Sequence, residues 1–154
     1  MLKRVSAVLI ALAVFGSSAW ALDDEQAAQA AKTRQSVLTV MRWNVVPMAG
    51  MVKERIPYDA ARFRLYSSRL AYMTTMLPDA FRPDTRGNDI ETEALDDIWK
   101  EFDEFERLAG NVKEKAEVLN AAAMSEDFAD IQAAFLDVGQ ACKDCHDKFR
   151  EEDD

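Results

Sequence analysis

Both cysteines and the single histidine of this 154-residue chain fall within five residues, Cys142-Lys143-Asp144-Cys145-His146. Cys-x-x-Cys-His is the attachment signature of a c-type haem. On a helix the two thiols lie three residues apart on one face, where each can add to a haem vinyl group, and the adjacent imidazole can reach the iron. The expected cofactor is therefore one haem c per chain, with thioethers to Cys142 and Cys145 and the iron on His146. Two other readings compete. A structural zinc site takes four Cys or His ligands, and the chain has three in total, so zinc would need a carboxylate. A redox dithiol normally opens a helix after a strand, where the dipole lowers the thiol pKa, whereas this pair comes late in a helical pattern.

Residues 1–21 have the parts of a secretory leader: Lys3 and Arg4, an apolar run from Val5 to Phe15, and the small-residue site Ala19-Trp20-Ala21. The apolar run is well short of the ~18–20 residues of a membrane span; left uncleaved, it would act as an anchor. Cleavage after Ala21 leaves residues 22–154 as one domain in the periplasm. That domain carries 17 basic and 28 acidic residues, a net charge of −11. Such a charge disfavours nucleic acid and anionic membranes, and it suits either plain solubility or docking to a basic redox partner.

Apolar residues recur at alternating steps of three and four along four segments, which predicts four amphipathic helices. The first spans about 24–55, with Leu38, Met41, Val45, Met48 and Val52 on one stripe and Pro47 expected to kink it. The second spans about 58–76 and ends where Pro78 forbids continuation. Ile56-Pro57-Tyr58-Asp59 makes their connection short, so the two are antiparallel neighbours. Residues 77–93 read as a long irregular connection. A third stripe runs from Leu95 to Leu119. The fourth helix takes Ser125 as N-cap, with Glu126 and Asp127 at the positive end of its dipole, and its stripe is Phe128, Ile131, Phe135, Val138, Cys142, Cys145 and Phe149. Both cysteines share the core stripe, so the group they carry should point into the bundle. With no strand-like alternation, the fold class is all-α, an antiparallel four-helix bundle with covalently bound haem.

The segment Gly139-Gln140-Ala141-Cys142-Lys143-Asp144-Cys145-His146-Asp147-Lys148-Phe149-Arg150 resembles the closing helix of the cytochrome c prime family, the class II c-type cytochromes. Arg34-Gln35-Ser36-Val37-Leu38-Thr39-Val40-Met41 is similar to that family's first helix, and Pro57-Tyr58-Asp59-Ala60 and Ile98-Trp99 also match. The resemblance implies proximal ligation by His146 with Arg150 near the proximal face, Leu38 covering the open side of the iron, Arg34 and Gln35 at the haem edge, and Phe81 as the aromatic of the long connection. Asp79 stands where some members carry an aromatic. Read from periodicity alone, Leu38 and Met41 are packing residues, Phe81 is a loop anchor, Arg34 is a solvated helix residue and Arg150 belongs to a fraying end.

The implied function is a periplasmic protein with five-coordinate, high-spin iron that binds nitric oxide and carbon monoxide. An apolar cover offers dioxygen no hydrogen bond, and no distal histidine stands ready for peroxidase chemistry. No catalytic residues are assigned, and the chain reads as a non-enzyme. The alternative is a low-spin electron carrier in which Met41, one turn beyond Leu38, supplies the sixth ligand; a haem-free dithiol or metal protein is the third possibility. The resemblance further implies a homodimer through the first two helices, with Arg42, Trp43, Lys53, Arg62 and Arg69 on the faces where contacts are expected.

Overall fold

The computed structural model describes residues 22–125 and 127–151; the leader expected at 1–21, Glu126 and the end of the acidic tail lie outside them. Among the described residues six helices follow one another: α1 (Asp24–Val52), α2 (Ala60–Thr74), α3 (Leu77–Phe81), α4 (Asp97–Lys100), α5 (Phe102–Ser125) and α6 (Phe128–Phe149). The four long ones, α1, α2, α5 and α6, make the expected bundle. Packing runs from α1 to α2, α2 to α5 and α5 to α6, while α1 touches α6 sparingly and leans on α3 instead. Among the described residues no helix is long and apolar enough to cross a membrane.

Local chemistry moves the helix ends from where periodicity put them. α1 stops at Val52, three residues short of Arg55, because Glu54 turns into the left-handed region (φ 54°) and sends the chain back. The amides of Arg55 and Ile56 then donate to the Gly50 carbonyl at 2.8 and 3.3 Å. Gly50 suits this turn, since a Cβ there would stand 3.2 Å from the Ile56 side chain. α1 runs unbroken through Pro47. Asp59 caps α2 by accepting from the Arg62 amide at 3.0 Å.

Pro78 does not end a helix but begins one. It occupies the first turn of α3, where an amide donor is not needed and proline's fixed φ suits the start. The expected irregular stretch therefore begins as a helical turn carrying Phe81. The third stripe is split at Glu101 (φ −125°, ψ 46°), which separates the single turn of α4 from α5. Asp127, not Ser125, caps α6: its carboxylate accepts from the amides of Ala129 (2.9 Å) and Asp130 (3.3 Å), whereas the Ser125 hydroxyl donates back to the Ala122 carbonyl at 2.8 Å. An anionic acceptor in extended backbone is the better match to the helix's positive end.

The core is apolar with a thin polar seam. Met48, Phe63, Leu70, Ile98, Leu119 and Ile131 are fully buried, and an aromatic chain joins Phe81 to Phe105 (4.8 Å between ring centroids) and Phe105 to Phe149 (5.6 Å). Across α2 and α5, the buried Ser67 hydroxyl shares its one proton between the Arg64 carbonyl of its own helix at 3.1 Å and Asn120 Oδ1 at 3.3 Å. In α1 the buried Asn44 donates to the Val40 carbonyl at 2.8 Å. The cap assignment makes a measurable difference: Asp127→Ala should lower stability by ~1 kcal/mol and Ser125→Ala by much less, read from paired denaturation midpoints.

Candidate haem site

α6 brings the attachment residues together. Cys142 and Cys145 are free thiols, half-buried and packed against the bundle core as the shared stripe predicted. Burial raises both thiol pKa values, and for Cys145, pushed up to about 11, the neighbouring Cys142 adds to the effect. They are therefore neutral thiols at neutral pH, unlike the activated thiolate of a redox dithiol. His146 is solvent-exposed. Its pKa is nonetheless lowered, first by partial desolvation and then by the charge of Arg150, against the smaller opposing pull of Asp147 and Glu93. The imidazole is thus held in the neutral form that ligates metals. Among the described residues no three His, Cys, Asp or Glu side chains converge as a bound metal ion would require, which is what the zinc reading needed.

Arg34 departs most from its reading as a solvated helix residue: only 2% of it is exposed. Its guanidinium lies over the rings of Trp99 (5.0 Å) and Phe81 (5.5 Å), donating through Nη2 to Thr85 Oγ1 at 3.0 Å and through Nη1 to the Pro83 carbonyl at 3.4 Å. Trp99 completes the cluster, its indole N–H lying 2.9 Å from the Phe81 carbonyl and 3.1 Å from that of Pro83. Arg34 Nε has no partner, and desolvation lowers the guanidinium pKa. Phe81 is thus both an anchor, its ring tilted 43° against that of Phe105, and half of the seat under Arg34. Gln35 remains exposed and donates to the Glu91 carbonyl at 3.2 Å.

Leu38 also shifts from its expected place. The buried stripe of α1 runs through Ala27, Ala31, Arg34, Val37, Met41, Asn44 and Met48, so Val37 takes the core position while Leu38 stays 37% exposed at its flank. Met41 is 8% exposed and belongs to the core. Arg150 does not fray. It ends α6 with its amide donating to the His146 carbonyl at 3.0 Å and its Nε to Glu93 Oε2 at 2.7 Å. Thr85 and Glu93 carried no sequence signal for these roles, because both act across long chain separations; Trp99 stood in a recognised motif but without a partner.

Half-buried neutral thiols in register with a neutral imidazole, and a buried guanidinium with an unsatisfied Nε, form a donor set that fits haem c, whose rim carries vinyl groups and carboxylates. Fold and motif together define a helical-bundle c-type haem protein. The family model for cytochrome c prime matches residues 29–150. The chain is 36% identical over 121 residues to cytochrome c prime from Alcaligenes xylosoxydans xylosoxydans, covering 79% of this chain and 92% of that one. It is 29% identical over 154 residues to cytochrome c-554 from Cereibacter sphaeroides, covering 99% of this chain and all of that one. Among solved structures, cytochrome c prime from Shewanella frigidimarina superposes with a TM-score of 0.76 at 30% identity, over 84% of this chain and 100% of that one. A nitric oxide complex of a single-site variant of the Alcaligenes xylosoxidans protein does so with a TM-score of 0.74 at 33% identity, over 82% and 97%. The chain belongs to the cytochrome c prime family, and its cofactor is covalently bound haem c.

The Arg34 cluster depends on the indole N–H that serves two carbonyls. Trp99→Phe should cost ~1–2 kcal/mol in urea unfolding of the holoprotein, whereas Gln35→Ala, at an exposed position, should stay within ~0.5 kcal/mol.

Proposed function

We propose that this is a periplasmic gas-binding haem protein that takes nitric oxide and carbon monoxide at an open sixth position of the iron. The observation that carries the reading is the division of labour on α1: Leu38, without a donor atom, lies half-exposed at the edge of the stripe, while the alternative ligand Met41 is committed to core packing. A relative of the same family has been solved as a nitric oxide complex, which supports the ligand class. The bound haem supplies an iron centre able to take a small uncharged diatomic.

The protein's own residues do the rest. Cys142 and Cys145 would hold the cofactor on α6, and His146, the one imidazole of the chain, would ligate its iron. Leu38 would present hydrocarbon to the gas-binding side, excluding water and offering no hydrogen bond to dioxygen. Export by the 1–21 leader would bring the thiols to the compartment where haem is attached, and the acidic surface keeps the protein off nucleic acid and anionic lipid.

Absorption spectra of the matured protein test this reading. A broad high-spin reduced Soret band that sharpens with carbon monoxide or nitric oxide is expected, unchanged in Met41→Leu, and Leu38→Ala should speed carbon monoxide association about tenfold, equivalent to ~1.4 kcal/mol of barrier. Sharp low-spin bands indifferent to carbon monoxide, and lost in Met41→Leu, would instead make this an electron carrier.

The assembly we propose is a homodimer through α1 and α2. Trp43 is 61% exposed there with the Arg69 guanidinium 5.6 Å above its ring, and Val40, Val46, Leu65 and Tyr72 extend the apolar surface. Arg42 and Lys53 are exposed beside it, while Arg62 pairs with Asp59 at 3.4 Å. Trp43→Glu should convert a dimer to a monomer in sedimentation velocity with the Soret spectrum intact.

A further inference from the structure

The stretch just before α4 is stitched to the residues that follow the haem motif. The Leu95 amide donates to the Phe149 carbonyl at 3.0 Å and the Glu151 amide to the Glu93 carbonyl at 2.8 Å, around the antiparallel bridge between Ala94 and Arg150. This main-chain clasp sets the Glu93 carboxylate against Arg150, with 2.7 Å between Oε2 and Nε. Arg150 is in turn tied to the axial ligand, its amide donating to the His146 carbonyl four residues back.

We propose that Glu93 is a positioning residue for the iron's proximal side: it holds Arg150 beside His146 and neutralises it there, and so keeps the reduction potential lower than an uncompensated arginine would set it. Reduction removes one positive charge from the centre, so a lone cation beside His146 favours the ferrous form and a lone anion the ferric form, while the closed pair does neither. The pair is partly exposed, so its influence is screened by solvent and salt and is modest in size. The inference rests on ligation by His146 and is independent of which gas binds or whether the sixth position is open.

The test is a redox titration of the holoprotein at low ionic strength, comparing wild type with Glu93→Gln, Glu93→Asp, Arg150→Gln and the double Gln variant. Glu93→Gln should raise the midpoint potential by about a threefold change in the reduction equilibrium, ~28 mV at ~59 mV per tenfold for one electron. Arg150→Gln should lower it, the double variant should return near wild type, and Glu93→Asp should rescue. The opposing shifts should shrink on adding salt. Equal shifts in one direction from the two single variants, or no shift in either, would overturn the proposal, because loss of a merely structural clasp carries no sign. The ferrous spectra of the same samples report the sixth position separately, so a six-coordinate wild type would defeat the gas-binding reading and leave this test intact.

Discussion

Burying the Arg34 guanidinium among aromatic rings, with no carboxylate of the described residues beside it, is costly, and α3, the connection after it and α4 are arranged around it. Removing an arginine from water carries a penalty of several kcal/mol. Arg34 recovers part of that from two aromatic faces, each worth ~0.5–2 kcal/mol, and part from the Thr85 hydroxyl and the Pro83 carbonyl. Those partners come from α3, from the connection after it and from α4, so one side chain of α1 gathers three otherwise weakly packed pieces. Trp99 reinforces the arrangement by holding the Phe81 and Pro83 carbonyls from the other side.

The two sides of the haem site are thereby fixed independently. α1 is set by Arg34 and its packing on α2 and α3, whereas the end of α6 is set by the main-chain clasp at 93–95 and by Lys148, which pairs with Glu101 at 2.6 Å. α1 and α6 touch each other little, so neither helix has to follow the other to keep its own position. This division suits the proposed site, with His146 on one helix and Leu38 on another.

Much of this was legible in the residues. Stripes of period three and four located the four long helices, and the five-residue motif located the attachment site, because both signals are local. Misplaced features were those in which two local rules compete or a distant partner decides. Ser125 and Asp127 are both good caps, and only the backbone conformation chose between them. Pro78 can stop a helix or start one, and the chain uses it to start α3. Val37 and Leu38 are adjacent aliphatics on one helix, and tertiary packing alone decided that Val37 faces the core. The burial of Arg34 and the pairing of Arg150 with Glu93 depend on contacts across about fifty residues, which periodicity does not record.

The Ser67–Asn120 contact between α2 and α5 has a consequence for which bundle the chain can form. Interfaces built only of leucine, methionine and phenylalanine tolerate sliding by a helical turn, since one hydrocarbon replaces another at little cost. A hydroxyl and an amide do not. Slipping α2 along α5 by one turn would break the Ser67–Asn120 contact at ~0.5–1.5 kcal/mol, while the Ser67 hydroxyl would keep the Arg64 carbonyl of its own helix, 3.1 Å away. The pair thus favours the native vertical offset of the two helices over its neighbours in alignment.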